Sequence, residues 1–184
     1  MPAAPLAAPL TPDQLFVRLD RLGIAHRTFR HPPVFTVAEA AALRGQLPGG
    51  HCKSLFLKDK KGGLWLVVAL EERQIDLKLL AASLAAPRFS FGNAELLYEV
   101  LGVKPGSVTP FALANDAAPD NAPENANRAH RVTVVLDRAM LAHDPLNYHP
   151  LENDRTTAIA PSDLLRFIAW CGHQVRIVDL DAVG

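Results

Sequence analysis

The residues able to do chemistry are few and dispersed: seven histidines, two cysteines and a handful of glycine- or proline-bearing loops. Cys52 follows His51, an order that invites a thiol nucleophile and its base. Neighbours on a strand point to opposite faces, however, so adjacency keeps these two apart. His143 and His149 stand six residues apart across Asp144-Pro145 and lack the usual rhythm of metal ligands. Structural or surface roles are the expectation for most of the histidines. Cys52 and Cys171 form no metal-type or disulfide pattern and read as buried, reduced thiols. The chain has no GxxxxGK[ST] phosphate loop, no GxGxxG after a strand and no HExxH. Three irregular polar segments remain: Gly49-Gly50-His51-Cys52-Lys53-Ser54, the stretch 102–110, and Leu146-Asn147-Tyr148-His149-Pro150-Leu151-Glu152-Asn153. Glycine lets backbone N–H groups approach a ligand, and a nearby lysine adds a positive charge. By composition alone the same segments read equally well as turns.

The elements that must position these segments are legible from capping and periodicity. Thr11-Pro12-Asp13-Gln14 is a capping box opening a helix with Leu15, Phe16, Leu19 and Leu22 on one face, closed by Gly23. Residues 25–30 predict a short strand stopped by His31-Pro32-Pro33. A second box, Thr36-Val37-Ala38-Glu39, opens an Ala-rich helix ending near Gly45, and His31-Pro32-Pro33 with this helix would form a flap. Residues 51–58 and 64–70 predict a hairpin; LWLVVAL is apolar on both faces and therefore central. Asp76 caps a helix running through Leu84 to Pro87, Phe89 and Phe91 alternate in a strand, and Asn93 caps a helix ended by Gly102. Further strands are expected at 111–114, 131–136, 156–159 and 174–180, with a helix from Pro161 to Gly172. Residues 116–130, with no apolar period, read as a surface insertion. Strands and helices mix irregularly, so the expected fold is mixed α/β: one compact domain with a mixed, barrel-like β core wrapped by helices.

Composition bounds the function. With 184 residues, 49% hydrophobic and 21% charged, the chain can build one domain with a substantial core, spanning residues 11–184. Lys plus Arg equals Asp plus Glu at 19 each, which excludes a polybasic character. The charge is polarised nonetheless: residues 1–104 hold 13 basic and 9 acidic side chains, residues 105–184 hold 6 and 10. An anionic partner should meet the first part. Residues 1–10, broken by Pro2, Pro5 and Pro9, read as a disordered tail rather than a signal peptide. The longest apolar run falls far short of the ~20 residues a membrane span needs. A cytoplasmic protein is the expectation.

Taken in order, PGGHCKSLFLKD, IDLKLL, RFSFGNAELLYEVLGVKPGSVTPF, RVTVVLD, NYHPLENDRTTAI and VRIVDL resemble the YbaK/ProX-type aminoacyl-tRNA deacylases, over roughly residues 11–182. These are related to the editing domain inserted in bacterial prolyl-tRNA synthetases; the nearest subgroup is the free-standing Ala-tRNA(Pro) deacylases. The resemblance implies hydrolysis without metal or cofactor. It matches Lys53 to the family's essential lysine and Gly106 to the start of its GxxxP loop, both as catalytic positions. Ser54, Ser107, Val108, Thr109, Pro110, His149, Pro150 and Asn153 fall at substrate-binding positions. Arg88 and Lys58 fall towards the tRNA. Ser54 departs from the Asn that relatives often carry after the lysine.

The implied partner is the acceptor end of mischarged tRNA(Pro), with no DNA or membrane partner and a transient association with prolyl-tRNA synthetase or an elongation factor. The implied chemistry is physically sound. Missing methylenes are worth only ~1–3 kcal/mol of discrimination, so a synthetase pocket shaped for proline admits alanine, and a second site must remove it. An aminoacyl ester is already activated; a site need only place water and stabilise an oxyanion. In such enzymes the substrate's own ribose hydroxyl assists, which would dispense with a Ser-His-Asp set. Other expectations stay open: a deacylase for mischarged Cys or Ser, or a non-catalytic tRNA-binding module.

Overall fold

The computed structural model describes residues 8–116 and 130–183. The expected insertion at 116–130 thus lies, but for its two end residues, outside the described residues, as do residues 1–7 of the expected tail. Leu10, at the end of that tail, donates its N–H to Asn115 Oδ1 at 2.9 Å and packs against the core.

Both capping boxes form. Thr11 accepts the Gln14 N–H, Gln14 answers to the Thr11 N–H, and α1 (Pro12–Arg21) follows with Leu15 and Leu19 buried. Thr36 and Glu39 do the same for α2 (Val37–Arg44). Asp76 caps α3 (Leu77–Ser83), Asn93 caps α4 (Ala94–Leu101), and α5 (Pro161–Trp170) begins on its proline. Gly102 ends α4 in the left-handed region at φ 66°, where a side chain would be strained.

Eight strands make one mixed sheet: β1 (His26–Arg30), β2 (Gly50–Asp59), β3 (Leu64–Leu70), β4 (Phe89–Phe91), β5 (Val132–Asp137), β6 (Leu146–Tyr148), β7 (Arg155–Ile159) and β8 (Val175–Val178). Their order is β1-β7-β6-β2-β3-β5-β8, with β4 also paired to β2. The β2–β3 hairpin is antiparallel, β3–β5 and β5–β8 are parallel, and β6 joins β2 in parallel through Gly50 and His51. Strand β3 explains its own composition. Leu64, Leu66 and Val68 join the core formed with α1, α4 and α5, while Trp65, Val67 and Ala69 join a second core beneath α3.

Two expectations are corrected. Residues 111–114 are no strand: Pro110–Asn115 form a 3-10 helix, with Thr109 Oγ1 accepting the Phe111 N–H and Pro110 fixing the first turn. Every residue from Pro110 to Ala114 is buried, so no polar–apolar alternation exists to tell helix from strand. Conversely, β6 went unread because its three residues are flanked by prolines and carry a polar residue, Asn147, inward.

Phe111 holds the main core together, fully buried with its ring edge-on to Tyr148 at 6.0 Å and to Phe167 at 5.5 Å. Phe111→Ala is expected to cost about 3–5 kcal/mol of stability. Urea unfolding should give a lower midpoint at unchanged m; an unshifted midpoint would refute this role for Phe111.

Candidate active site

Where β6 meets the first residues of β2, the sheet encloses a cavity of about 70 Å³. Cys52 of β2 and Asn147, Tyr148 and His149 on and after β6 form its wall, with Glu71 just past β3. Val34 and Leu43, from the turn before α2 and from α2 itself, line it too, as do His51 of β2 and Thr156 of β7. The glycine pair at 49–50 builds this junction rather than cradling a ligand. Gly49 sits at φ 100°, and any side chain there would run into the Pro145 carbonyl. Gly50 donates to that same carbonyl at 2.9 Å.

The wall is rich in acceptors. Asn147 Nδ2 donates to Pro48 O at 3.0 Å and Gly50 O at 3.3 Å. Both amide hydrogens are spent on carbonyls, which fixes the amide's orientation. Its Oδ1 is buried and has no hydrogen-bond partner among the described residues. Burial pushes the His149 pKa down, outweighing the opposing effect of its bond to Arg155. Nδ1–H of His149 donates to Arg155 O at 3.0 Å, which leaves the lone pair of the neutral ring on Nε2. His31 lies 6.2 Å from it, ring centre to ring centre, donating from Nδ1 to Pro32 O and accepting the Thr156 hydroxyl at Nε2, both at 2.8 Å. Together with the Glu71 carboxylate, these groups suit a small cationic headgroup.

No activated thiol stands here. Burial pushes Cys52 up to about 12, so its sulfur stays protonated and unreactive. His51 also lines the cavity, but its Nε2 is engaged by Leu47 O at 2.9 Å. Tyr148 is likewise pushed well up by burial, and its hydroxyl donates to Met140 Sδ.

Lys53 follows directly on the wall strand, half-buried, with its ammonium donating to Arg73 O. Burial lowers its pKa; nearby Glu71 opposes that and Arg73 adds to it. Arg73 is itself pinned, 2.7 Å from the buried Asp137 and 2.6 Å from Asp181, so its carbonyl is a fixed acceptor. Ser54 sits next to Lys53, half-buried and in register with Val68.

The 106–110 loop does not line the cavity. Gly106 adopts φ 89°, and a Cβ there would lie 3.4 Å from Asn153 Nδ2. Asn153 clamps Val34 of the cavity wall, donating from Nδ2 to its carbonyl at 2.8 Å and accepting its N–H at Oδ1. Asn153 thus ties this side to the cavity wall through Val34, while Gly106, Asn153 and Lys53 do not themselves line the cavity. Ser107, Thr109 and Pro110 are buried, and the Ser107 N–H is already taken by Lys104 O at 3.0 Å. Thr109 and Pro110 hold up the 3-10 helix. Val108 is half-buried and packs on the main core, and Pro150 is buried behind His149.

Lys58 and Arg88 are not part of this cluster. Lys58 pairs with Ser90 near the far end of β2, and Arg88 O accepts the Lys60 N–H. Five strand residues separate Lys58 from Lys53, about 17 Å. Both side chains are exposed, beside exposed Lys60, Lys61 and Phe91. They form a basic surface with one aromatic. Sequence reasoning did not find Glu71, Asn147 or Thr156. The one signal for Glu71 is its position, the first charged residue after an apolar central strand; Asn147 and Thr156 lie within the NYHPLENDRTTAI stretch, with nothing to mark them individually.

Residues 31–167 match the family model described as the aminoacyl-tRNA editing domain. The chain is 38% identical over 165 residues to a zebrafish (Danio rerio) protein named prolyl-tRNA synthetase associated domain-containing protein 1, covering 89% of this chain and 84% of the other. It is 28% identical to the prolyl-tRNA editing protein ProX of Acetoanaerobium sticklandii, covering 90% and 95%. A solved structure described as a candidate trans-editing enzyme for prolyl tRNA synthetase shares the fold, with a TM-score of 0.63 at 21% identity over 96% and 97% of the two chains. The mixed α/β fold, the cavity at the β2–β6 junction and these matches lead to one assignment: the chain belongs to the aminoacyl-tRNA editing domain family.

Proposed function

We propose that this protein hydrolyses mischarged Ala-tRNA(Pro), releasing alanine and tRNA in trans to the synthetase. The observation that carries the proposal is the small cavity with a buried, unpartnered acceptor, Asn147 Oδ1, next to His149 and Glu71. A cavity of about 70 Å³ has room for on the order of five water-sized groups. A small pocket of this kind suits a small acyl group such as alanyl. The α-ammonium would satisfy Asn147 Oδ1 and meet Glu71, and the methyl group would lie against Val34 and Leu43.

In this reading water attacks the ester carbonyl carbon. The carbonyl electrons move onto oxygen, and collapse expels the ribose oxygen, which takes a proton. The backbone N–H groups of Gly106, Val108 and Thr109 are the loop donors left for the oxyanion, since that of Ser107 is spent and Pro110 has none. Lys53 exchanges the Arg73 carbonyl for the terminal nucleotide or the developing negative charge. His149 Nε2 accepts a hydrogen bond from the attacking water or from the ribose hydroxyl that orients it. Lys58 and Arg88, ~17 Å or more along the sheet, would reach the stem behind the acceptor end rather than the terminal nucleotide.

The deciding experiment is a deacylation panel on alanyl-, seryl-, cysteinyl- and prolyl-tRNA(Pro). Alanyl-tRNA should be cleaved fastest and prolyl-tRNA spared. A preference for seryl or cysteinyl ester would reassign the substrate, and hydrolysis no faster than the no-protein control would make the protein a binding module.

Lys53→Ala should lower kcat by about 100- to 1000-fold, as loss of a charge-stabilising group does elsewhere. Circular dichroism should be unchanged, because the side chain makes one hydrogen bond at a half-buried position. Turnover near wild type in the folded variant would remove Lys53 from the mechanism.

For the basic surface, Arg88→Ala should weaken tRNA binding and flatten its salt dependence by about 0.7–0.9 in log–log slope for one phosphate lost. A minimal aminoacyl ester lacking the stem should be hydrolysed as before. Equal losses on both substrates would place Arg88 in the site instead.

A further inference from the structure

Outside the cavity, the described residues bring one other group of potential ligands together. One nitrogen each from His130 and His173 and one carboxylate oxygen of Asp116 lie within 4.8 Å of one another. The rings face each other with centres 4.1 Å apart. The side chains of His173 and Asp116 are 1% and 6% exposed, so two of the three polar groups have been withdrawn from water.

The hydrogen bonds decide what such a cluster can hold. His130 Nδ1 lies 2.8 Å from Asp116 O, and a carbonyl can only accept, so the proton of the neutral ring is on Nδ1 and the lone pair on Nε2. His173 Nε2 lies 3.0 Å from Asp116 Oδ2, and the carboxylate likewise accepts. His173 Nδ1 is then left with a lone pair, buried and without a hydrogen-bond partner among the described residues. Each ring is tied through one nitrogen to an oxygen of Asp116 and keeps a lone pair on the other. An ion held by all three residues would take the place of the proton between His173 Nε2 and Asp116 Oδ2, the two atoms 3.0 Å apart, with the ring's proton moving to its unpartnered Nδ1. Gly172 makes the close packing possible. It sits at φ 85°, and any side chain there would collide with the His130 ring. Asp116 is fixed in turn by the N–H groups of Arg131 and Val132.

We propose that Asp116, His130 and His173 form a binding site for one divalent transition-metal ion, with zinc the cation its donors fit best. Two imidazole nitrogens and a carboxylate oxygen are zinc-type ligands, and a water completes four-coordination. Calcium and magnesium, which need oxygen cages, are excluded by the same donor set. Zinc–nitrogen bonds are about 2.0–2.1 Å, so the donors close in slightly on the ion by small ring rotations. The site joins the two residues bracketing positions 117–129 to the turn after α5. It lies at the Leu64 end of β3, paired with Val132, whereas the cavity lies beyond Leu70. The two are separated by on the order of 20 Å along the strands. The ion is therefore structural and takes no part in hydrolysis.

The test uses the full chain without an affinity tag, stripped with EDTA and desalted, then titrated with zinc chloride by calorimetry and followed by thermal unfolding. The expected result is one zinc per chain and a Tm about 5–10 °C higher at a hundredfold excess over Kd. His130→Ala should weaken binding by about 100-fold or more. Independently of any variant, zinc should shift or broaden the imidazole NMR signals of His130 and His173 while those of His51 and His149 stay in place. No stoichiometric binding, an affinity unchanged in His130→Ala, or signals that move at His51 and His149 instead would each overturn the proposal.

Discussion

Strand β2 has two edges and three partners, and the site follows from how it divides them. One edge goes to β3 along most of its length. The other is shared between β6, at Gly50 and His51, and β4, at Leu57 to Asp59. Residues 52–55 lie between these two pairings. Cys52, Lys53 and Ser54 thus occur where the strand is held on one side and flanked by loops on the other. The junction with β6 requires two backbones to approach closely at positions 49 and 50, where the structure tolerates only hydrogen atoms in place of side chains. Were either glycine lost, β6 could not dock, and Asn147 and His149 would leave the cavity with it.

A buried acceptor without a partner costs ~1–3 kcal/mol, and proteins keep few of them. Asn147 Oδ1 is such a group, and it lies at the cavity rather than in the apolar core. Its own amide hydrogens are committed to the β2–β6 junction, so the fold cannot relieve the cost by turning the side chain over. The same logic applies to His149, which burial keeps neutral and whose donor nitrogen is occupied. Both groups leave polar stabilisation unrealised at the cavity wall.

Much of the scaffold was readable because local signals agreed with the global fold. The two capping boxes, the LWLVVAL strand and the glycine ending α4 each name their own structure. The 3-10 helix at Pro110 to Asn115 was not readable as such, since complete burial erases the periodicity that distinguishes helix from strand. For the site, motif order pointed to Lys53, Gly106, His149 and Asn153; of these His149 lines the cavity, and Asn153 reaches its wall through Val34. What could not be read were the residues whose importance is purely spatial. Asn147 lies in a three-residue strand without pattern, and Glu71 is one of two adjacent acids whose roles diverge only when the chain folds. The Asp116–His130–His173 cluster was invisible for the same reason, its members being 14 and 43 positions apart.

The cavity's bonds also span unusually long stretches of chain. Asn147 reaches back 99 positions to Pro48, Asn153 reaches 119 to Val34, and His31 meets Thr156 across 125. Such closures cost loop entropy before they return any contact energy, so they belong to the late, cooperative part of folding. During synthesis α2 and the β2–β3 hairpin emerge long before β6 and β7 exist to complete the wall. An unfinished chain, or one opened at its C-terminal third, has no partial version of the cavity. The site comes into being only with the whole fold.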